Sequence, residues 1–575
     1  MRFFDLLRRH LLDHFFLTDR SVRVAANGAE HVPHIGAHKV GRGHAKAKLI
    51  VPSNTRLRAR MPFHGTAQIP FEGSDMILLN AQTKSVHDTD KLLGVGIART
   101  RRWPESFHRF FKAAGLHQVA CFFDFGPRGC RDQAKYCRKF AHGGLLAVGL
   151  ALPAAAELPR PLTDNDFIAF DAQKAKIGQL LFYDKILSGN RNISCGTCHN
   201  PDLGGTDGLS LGIGEGGVGL GRERTPGTGE DQVVKRIPRN APALWNLGAK
   251  DLTVMFHDGR LSVSDLFGNG FNSPAEEWLP EGLNSLLAAQ AMFPVTSAAE
   301  MAGQPEENEI SGAVNDRIDA GWPIIAKRVR AIPEYGDMFV AAFDHIDAPE
   351  DVTMVEVANA IASFIGTEWK SFDSPFDAYL AGDTTALDPA AKRGMDVFFG
   401  EGNCAACHSG PLFTDQSFHA LALPAFGPGR TRRFDPIPRD VGRIGESDIL
   451  EDAYRFRTPM LRNIALTAPY GHNGAYPTLE SMVKHHLDPV AANASWTRDM
   501  AQLPDIPWLT KVDFIIQSDR REMERLRAKV DITPVALSDA EVDDLVAFLN
   551  ALTGKTAEAL PMGRPESVPS GLSVD

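Results

Sequence analysis

Four of the seven cysteines in this 575-residue chain fall into two short motifs, Cys195-Gly196-Thr197-Cys198-His199 and Cys404-Ala405-Ala406-Cys407-His408. Each motif places two thiols and an imidazole on one tight turn. The spacing suits two thioether bonds to the vinyl groups of a haem, with the adjacent histidine reaching the iron. Zinc is the nearest competitor, but it would need four ligands within one domain, and the distance between the pairs does not suit that. From Glu157 onward the chain has no other cysteine, and the three upstream, Cys121 and Cys130 among them, form no such pattern. The residues therefore predict two covalently bound haem c groups, one on Cys195, Cys198 and His199 and the other on Cys404, Cys407 and His408.

The elements that must position these turns repeat as well. Ala175-Lys176-Ile177-Gly178-Gln179-Leu180-Leu181-Phe182 precedes the first motif and Ala391-Lys392-Arg393-Gly394-Met395-Asp396-Val397-Phe398 the second. In both, an Ala-Lys-x-Gly start leads into apolar residues at helical spacing, then a short loop, then the cysteines. Two such units imply two haem domains, residues 157–385 and 386–555. Between them, residues 351–370 carry apolar side chains at i, i+3, i+4 and i+7 without proline, the pattern of an amphipathic helix. Ser538, with Glu541 three residues on, is expected to cap a last helix running through Leu552. Residues 202–228 are dense in glycine and read as loop. The Pro-rich tail, 556–575, reads as flexible. The fold class expected is mainly α: two cytochrome c-like haem domains with long loops.

Charge divides the chain at a second point. Of 61 basic and 71 acidic residues, 24 and 11 lie before Glu157, leaving 37 and 60 after it. At the boundary a basic cluster (Arg131, Lys135, Arg138, Lys139) precedes the apolar run Leu145–Leu152, which is too short to span a bilayer. Pro153-Ala154-Ala155-Ala156 follows, with small residues where a signal peptidase cuts. Residues 131–156 thus read as a Sec-type signal peptide, which places the mature protein in the periplasm. Residues 1–130 become a doubtful N-terminal extension, and translation is expected to begin at Met76 or at a non-Met codon nearer residue 130. The alternative is a genuine extension with an uncleaved anchor. No membrane span in the mature chain and no nucleic-acid partner are expected.

With these motifs in place, residues 157–555 resemble the bacterial dihaem cytochrome c peroxidase and MauG superfamily. The resemblance rests on Arg239-Asn240-Ala241-Pro242-Ala243-Leu244, Phe256-His257-Asp258-Gly259-Arg260, Glu300-Met301, and Thr458-Pro459-Met460-Leu461-Arg462-Asn463 running to Thr467-Ala468-Pro469-Tyr470-Gly471-His472-Asn473-Gly474. Peroxidases of this family close the first iron at rest with a loop histidine, whereas MauG lacks it. Here no histidine lies between His199 and His257, so the resemblance implies an open, five-coordinate first haem, with Lys235 the nearest alternative ligand. The family also implies a distal Gln, Pro and Glu, matched by Gln290, Pro294 and Glu300. Glu300 would be the acid/base and Gln290 a hydrogen-bond donor to peroxide. An insertion over 261–285, which includes Trp278, interrupts the match before Gln290.

The family's sixth ligand to the second iron lies nineteen residues after the Thr of Thr-x-Pro-Tyr, and is Met in peroxidases and Tyr in MauG. Counting from Thr467 gives His486, which implies a bis-histidine haem of lower potential than a His/Met one; His485 is the alternative. His257 stands where the family has an inter-haem Trp, and an imidazole is a poorer relay. An inter-haem Ca2+ is implied on Asn240, Thr467 and Pro469. Three functions remain: a peroxidase that reduces hydrogen peroxide with electrons from a small redox protein (a cytochrome c or a cupredoxin), a MauG-like oxidant that modifies a partner protein, and a non-catalytic electron-transfer cytochrome.

Overall fold

The computed structural model describes residues 157–229, 232–431 and 437–575, together with the backbone of three strands between residues 65 and 96. The chain divides into a unit ending at Leu150 and one running from Ala151 to Asp575. In the first unit, β1 (Gly65–Pro70), β2 (Met76–Ala81) and β3 (Gly94–Gly96) form an antiparallel sheet, with Gly65 opposite Ala81 and Leu79 opposite Val95. The expected export signal over 131–156 lies outside the described residues.

The second unit is built mainly of helices. In α1 (Ala172–Tyr183), Asp171 caps the start by accepting from the backbone N–H groups of Gln173 and Lys174. The first cysteine motif is a single turn, α2 (Cys195–Cys198), followed by α3 (Leu286–Ala291) and then α4 (Met354–Glu368). Thr353 and Glu356 form a reciprocal cap on α4, and α4 lies within the stretch whose apolar spacing predicts a helix. Next come α5 (Pro389–Phe399), α6 (Leu479–Leu487) and α7 (Asp539–Asn550). Ser538 and Glu541 cap α7 as expected.

The repeated glycine has a packing reason. A Cβ on Gly178 would lie 1.9 Å from the Ala360 carbonyl oxygen, and one on Gly394 would lie 1.9 Å from that of Asp544. In each half, therefore, the helix before the cysteine motif crosses the later helix (α4 or α7) at backbone contact, and only glycine fits at the crossing.

Two apolar clusters follow from these crossings. Phe182, Tyr183, Phe364 and Trp369 anchor the first, and Phe376, Phe398, Phe413 and Phe548 anchor the second. Phe398 and Phe548 meet with ring centres 5.2 Å apart. Full burial of each such ring contributes about 1.5–3 kcal/mol, so the α5–α7 crossing is held by more than its helical propensity.

The insertion after Arg260 is not featureless. β4 (Val254–Met255), β5 (Leu261–Val263) and β6 (Phe271–Asn272) pair antiparallel, and Trp278 lies 49% exposed beneath the Arg317 guanidinium.

The tail also departs from expectation, because it is docked. Gln179 donates to the carbonyls of Met562 and Gly563, and the carboxylate of Glu368 accepts from the backbone N–H groups of both residues at 2.8 Å. Ser570 donates to Asp184, Val568 is buried, and Asp575 pairs with Lys185 at 2.6 Å. Proline and glycine stop the tail from forming a helix, but they do not prevent its backbone from meeting buried acceptors.

Candidate active site

The two cysteine motifs adopt one geometry. The His199 backbone N–H donates to the Cys195 carbonyl and that of His408 to the Cys404 carbonyl, each at 2.9 Å. In the first turn, Ser194 and Thr197 cap one another, and a Cβ on Gly196 would strike the Tyr183 ring at 2.5 Å. The turn is therefore pressed onto α1. All four thiols are half-buried and unpaired with one another, and burial pushes Cys195, Cys198 and Cys404 up to about 12.

Imidazole orientation is set by the backbone. His199 Nδ1–H donates to the Gly205 carbonyl at 2.9 Å, and His408 Nδ1–H to that of Phe413 at 3.1 Å. Each bond fixes the tautomer and leaves Nε2 as the lone-pair donor, the arrangement a metal-binding histidine needs. Across from His408, His486 on α6 donates Nδ1–H to the Met482 carbonyl at 2.9 Å and likewise keeps Nε2 free. The His408 and His486 ring centres are 6.3 Å apart. A transition metal held by two imidazole nitrogens at about 2 Å each requires roughly that separation, so the pair fits an iron between them.

His485 is disposed differently. Its Nδ1 meets the Tyr476 hydroxyl at 2.7 Å and its Nε2 the Leu421 carbonyl at 2.7 Å, which commits both nitrogens to the protein. The alternative ligand is thus a buried structural histidine. Cys407, Asp415 and His419 also bring one ligating atom each within 4.8 Å of one another, but Cys407 already belongs to the second motif.

A cavity of about 560 Å³ joins the two turns. It runs from His199 and Gln290, past Asn240 and His257, to Cys404, Cys407, His408 and His486. Its size and largely apolar lining suit a bound planar group. His257 donates Nε2–H to the Asn240 carbonyl at 3.2 Å. Burial, reinforced by Arg239 and Arg457, lowers its pKa to about 4, so it is neutral at pH 7. Its neighbour His472 stacks on Phe456 with ring centres 3.5 Å apart.

Gln290 lies in the last turn of α3 and lines the cavity. Pro294 opens a short 3-10 turn, and Glu300 then sits on a π-helical turn, Ala298–Ala302. Glu300 is not among the residues lining the cavity, yet its charge bears on Cys198 and on Arg260, so it lies close to the first turn. Burial raises the Glu300 carboxyl above its usual range, against the pull of Arg260 and Arg430. A carboxyl raised by burial holds its proton to a higher pH than an ordinary carboxylate, which suits it to proton exchange. Arg239 bridges Asp258 at 2.7 Å and Asp440 at 2.7 Å. Burial alone would raise Asp258, but Arg239, Arg260 and Arg430 outweigh it and hold the carboxylate ionised. Lys235 is exposed, and partial desolvation and Arg430 hold its ammonium below the usual range.

Asn240, Thr467 and Pro469 line the same cavity. The Asn240 amide nitrogen donates to the Leu209 carbonyl at 2.7 Å, which turns its oxygen the opposite way. Sequence reasoning missed Asp207 and Arg224, both buried in the glycine-rich loop beside the first turn. The available signal was a charged side chain kept inside a glycine run.

No helix among the described residues is long and apolar enough to cross a membrane. The di-haem cytochrome c peroxidase family matches residues 172–385. The chain is 30% identical to cytochrome c551 peroxidase of Pseudomonas aeruginosa over 399 residues, which cover 69% of this chain and 84% of that one. It is 28% identical to methylamine utilization protein MauG of Methylorubrum extorquens over 441 residues, 76% and 94% of the two chains. A solved MauG-like protein associated with microbial copper homeostasis aligns with a TM-score of 0.47 at 27% identity, covering 73% of this chain and 99% of that one. The chain therefore belongs to the di-haem cytochrome c peroxidase and MauG superfamily, whose members hold two haem groups, and it is an oxidoreductase of the peroxidase type.

Proposed function

We propose that this chain is a periplasmic di-haem c-type peroxidase that reduces hydrogen peroxide with electrons from a small redox protein, a cytochrome c or a cupredoxin. Cys195, Cys198 and His199 carry the peroxide-reactive haem within domain 157–385. Cys404, Cys407, His408 and His486 carry the electron-transfer haem within 386–555. The observation that carries the reading is the difference between the two turns: His408 faces a second free imidazole at 6.3 Å, whereas His199 shares its cavity with Gln290 and lies near Glu300.

Held by His199, the haem iron would supply the redox centre for cleaving the peroxide O–O bond. Glu300 accepts a proton from one peroxide oxygen and returns it to the other. The Gln290 amide donates a hydrogen bond that orients the peroxide, and Pro294 sets the turn between the two. His257, neutral and hydrogen-bonded to Asn240, packs between the sites. Asn240, Thr467 and Pro469 offer hard oxygen atoms suited to Ca2+.

His486 also favours a second reading. Imidazole donates more strongly than a thioether, and the lower potential that results suits storing an oxidising equivalent for a partner protein, as in MauG. A ferric spectrum with one high-spin and one low-spin haem supports the open first site, and two low-spin haems would exclude it. Turnover of peroxide with reduced cytochrome c, set against oxidation of a co-purifying protein, separates the two readings.

A further inference from the structure

Asp207 follows the first cysteine motif on the loop that also receives His199, and nothing in the peroxide chemistry above uses it. It is 2% exposed. Its Oδ1 accepts from the Leu209 backbone N–H at 3.0 Å, while its Oδ2 is buried without a hydrogen-bond partner. Oδ2 faces Gly212, where a Cβ would lie only 2.7 Å away. An ionised carboxylate so placed leaves one oxygen unmatched in a dry interior, which is strongly disfavoured.

Of the charged and titratable groups nearby, Arg224 and Cys198 interact with Asp207 itself, Glu215 and Asp575 bear on Arg224, and Glu300 and Cys195 bear on Cys198. Arg224 does not resolve the problem, because its guanidinium donates to the carbonyls of Ile213 at 2.7 Å, Gly214 at 2.8 Å and Gly219 at 2.6 Å. Glu215 is held by Asn190 and Asn192, and Asp575 by Lys185 and Thr197. Burial pushes the Asp207 carboxyl up to about 7, although the backbone N–H groups and Arg224 pull it down. Among the charges that bear on Cys198, that of Asp207 is the largest. A second, polar cavity of about 330 Å³, lined by Lys185, Asn192, Arg224 and Asp575, brings solvent as far as Arg224.

We propose that Asp207 couples the first haem to a proton: it takes up one proton from water when the iron held at His199 gains an electron, and releases it when that electron leaves. The inference rests on the haem assignment above. On uptake one electron arrives from the one-electron donor, and one O–H bond forms on the carboxylate as one breaks in a solvent hydronium ion or water; on release both steps reverse, and in either direction the net charge of the pocket is unchanged. An added electron makes a nearby buried negative charge more costly, so protonation follows reduction. Asp207 acts through the Cys198 edge of the haem and is a positioning residue, not a catalytic one.

The test is spectroelectrochemistry of the full holoprotein on both sides of about pH 7. The first-haem potential should fall as pH rises, by up to about 59 mV per pH unit, which is a tenfold change in the reduction equilibrium of a one-electron couple. Asp207→Asn should flatten that slope and Glu300→Gln should retain it. A flat wild type, a slope that persists in Asp207→Asn, or a slope lost in Glu300→Gln overturns the proposal. If Asp207→Asn does not fold, the redox-difference infrared spectrum of wild type and Glu300→Gln serves instead. A carboxylic-acid band that appears on reduction in both and shifts in D2O supports the proposal, and its absence overturns it. Peroxide turnover does not enter these readouts, so failure of the peroxidase reading is scored separately.

Discussion

Adjacent histidines on α6 should fail in opposite ways when each is replaced by alanine. His485 is fully buried and makes two hydrogen bonds of 2.7 Å, to Tyr476 and to the Leu421 carbonyl. His485→Ala removes both and strands two buried polar groups, each costing about 1–3 kcal/mol. The expected destabilisation is therefore about 2–6 kcal/mol, with little change at the second iron. His486 makes one hydrogen bond, to the Met482 carbonyl within its own helix, so His486→Ala forfeits about 1 kcal/mol of such bonding. Its larger effect is on the metal, because the face opposite His408 loses its imidazole.

Electron paramagnetic resonance of the ferric protein reads the ligand set, and urea unfolding followed at the haem absorption reads stability. His486→Ala should lose the bis-imidazole low-spin signal, and His485→Ala should keep it while its unfolding midpoint falls. An unchanged bis-imidazole signal in His486→Ala, or its loss in His485→Ala, would refute the assignment of roles along this helix turn.

Glu300→Gln should lower peroxide turnover by about 10²–10⁴-fold in a stopped-flow assay while both haem spectra stay unchanged. Because Glu300 must be ionised to accept a proton and its carboxyl is raised by burial, wild-type activity should be lost as pH falls, and at a higher pH than an ordinary carboxylate would give. Ca2+ at 100 times its dissociation constant should stabilise wild type by about 2.7 kcal/mol in calorimetry, and Asn240→Ala should abolish most of that gain. Removing residues 560–575 strips two N–H donors from the buried Glu368 carboxylate and should cost about 1–3 kcal/mol for each. Amide hydrogen exchange should then rise in α1 but not in α7; equal loosening of both helices would show that the tail is not a clasp on the first core.

The two cysteine turns were readable because the haem attachment proposed for them demands a fixed local order: two thiols and an imidazole within five residues admit few other uses. Caps were readable for the same reason, since Ser538 and Glu541 satisfy N–H groups only three positions apart. The role of Gly178 was not, because the carbonyl it must approach belongs to Ala360. The repeat pattern disclosed that a glycine recurs, and the helix crossing discloses why. Composition misjudged the tail, whose partners Gln179, Asp184 and Glu368 are far away in sequence. It also concealed Asp207, whose burial depends on how the glycine loop folds back.

By itself the sequence determined the two candidate haem-binding turns, the repeated helix-and-turn pattern that precedes them and the order of the main helices, since all three are written in local spacing. Only the tertiary structure decided which imidazole of His485 and His486 points at His408, that both turns open into one cavity, and that a carboxyl at residue 207 is sealed beside Cys198. Those outcomes depend on backbone carbonyls and burial contributed by segments distant in the chain, which no local pattern records.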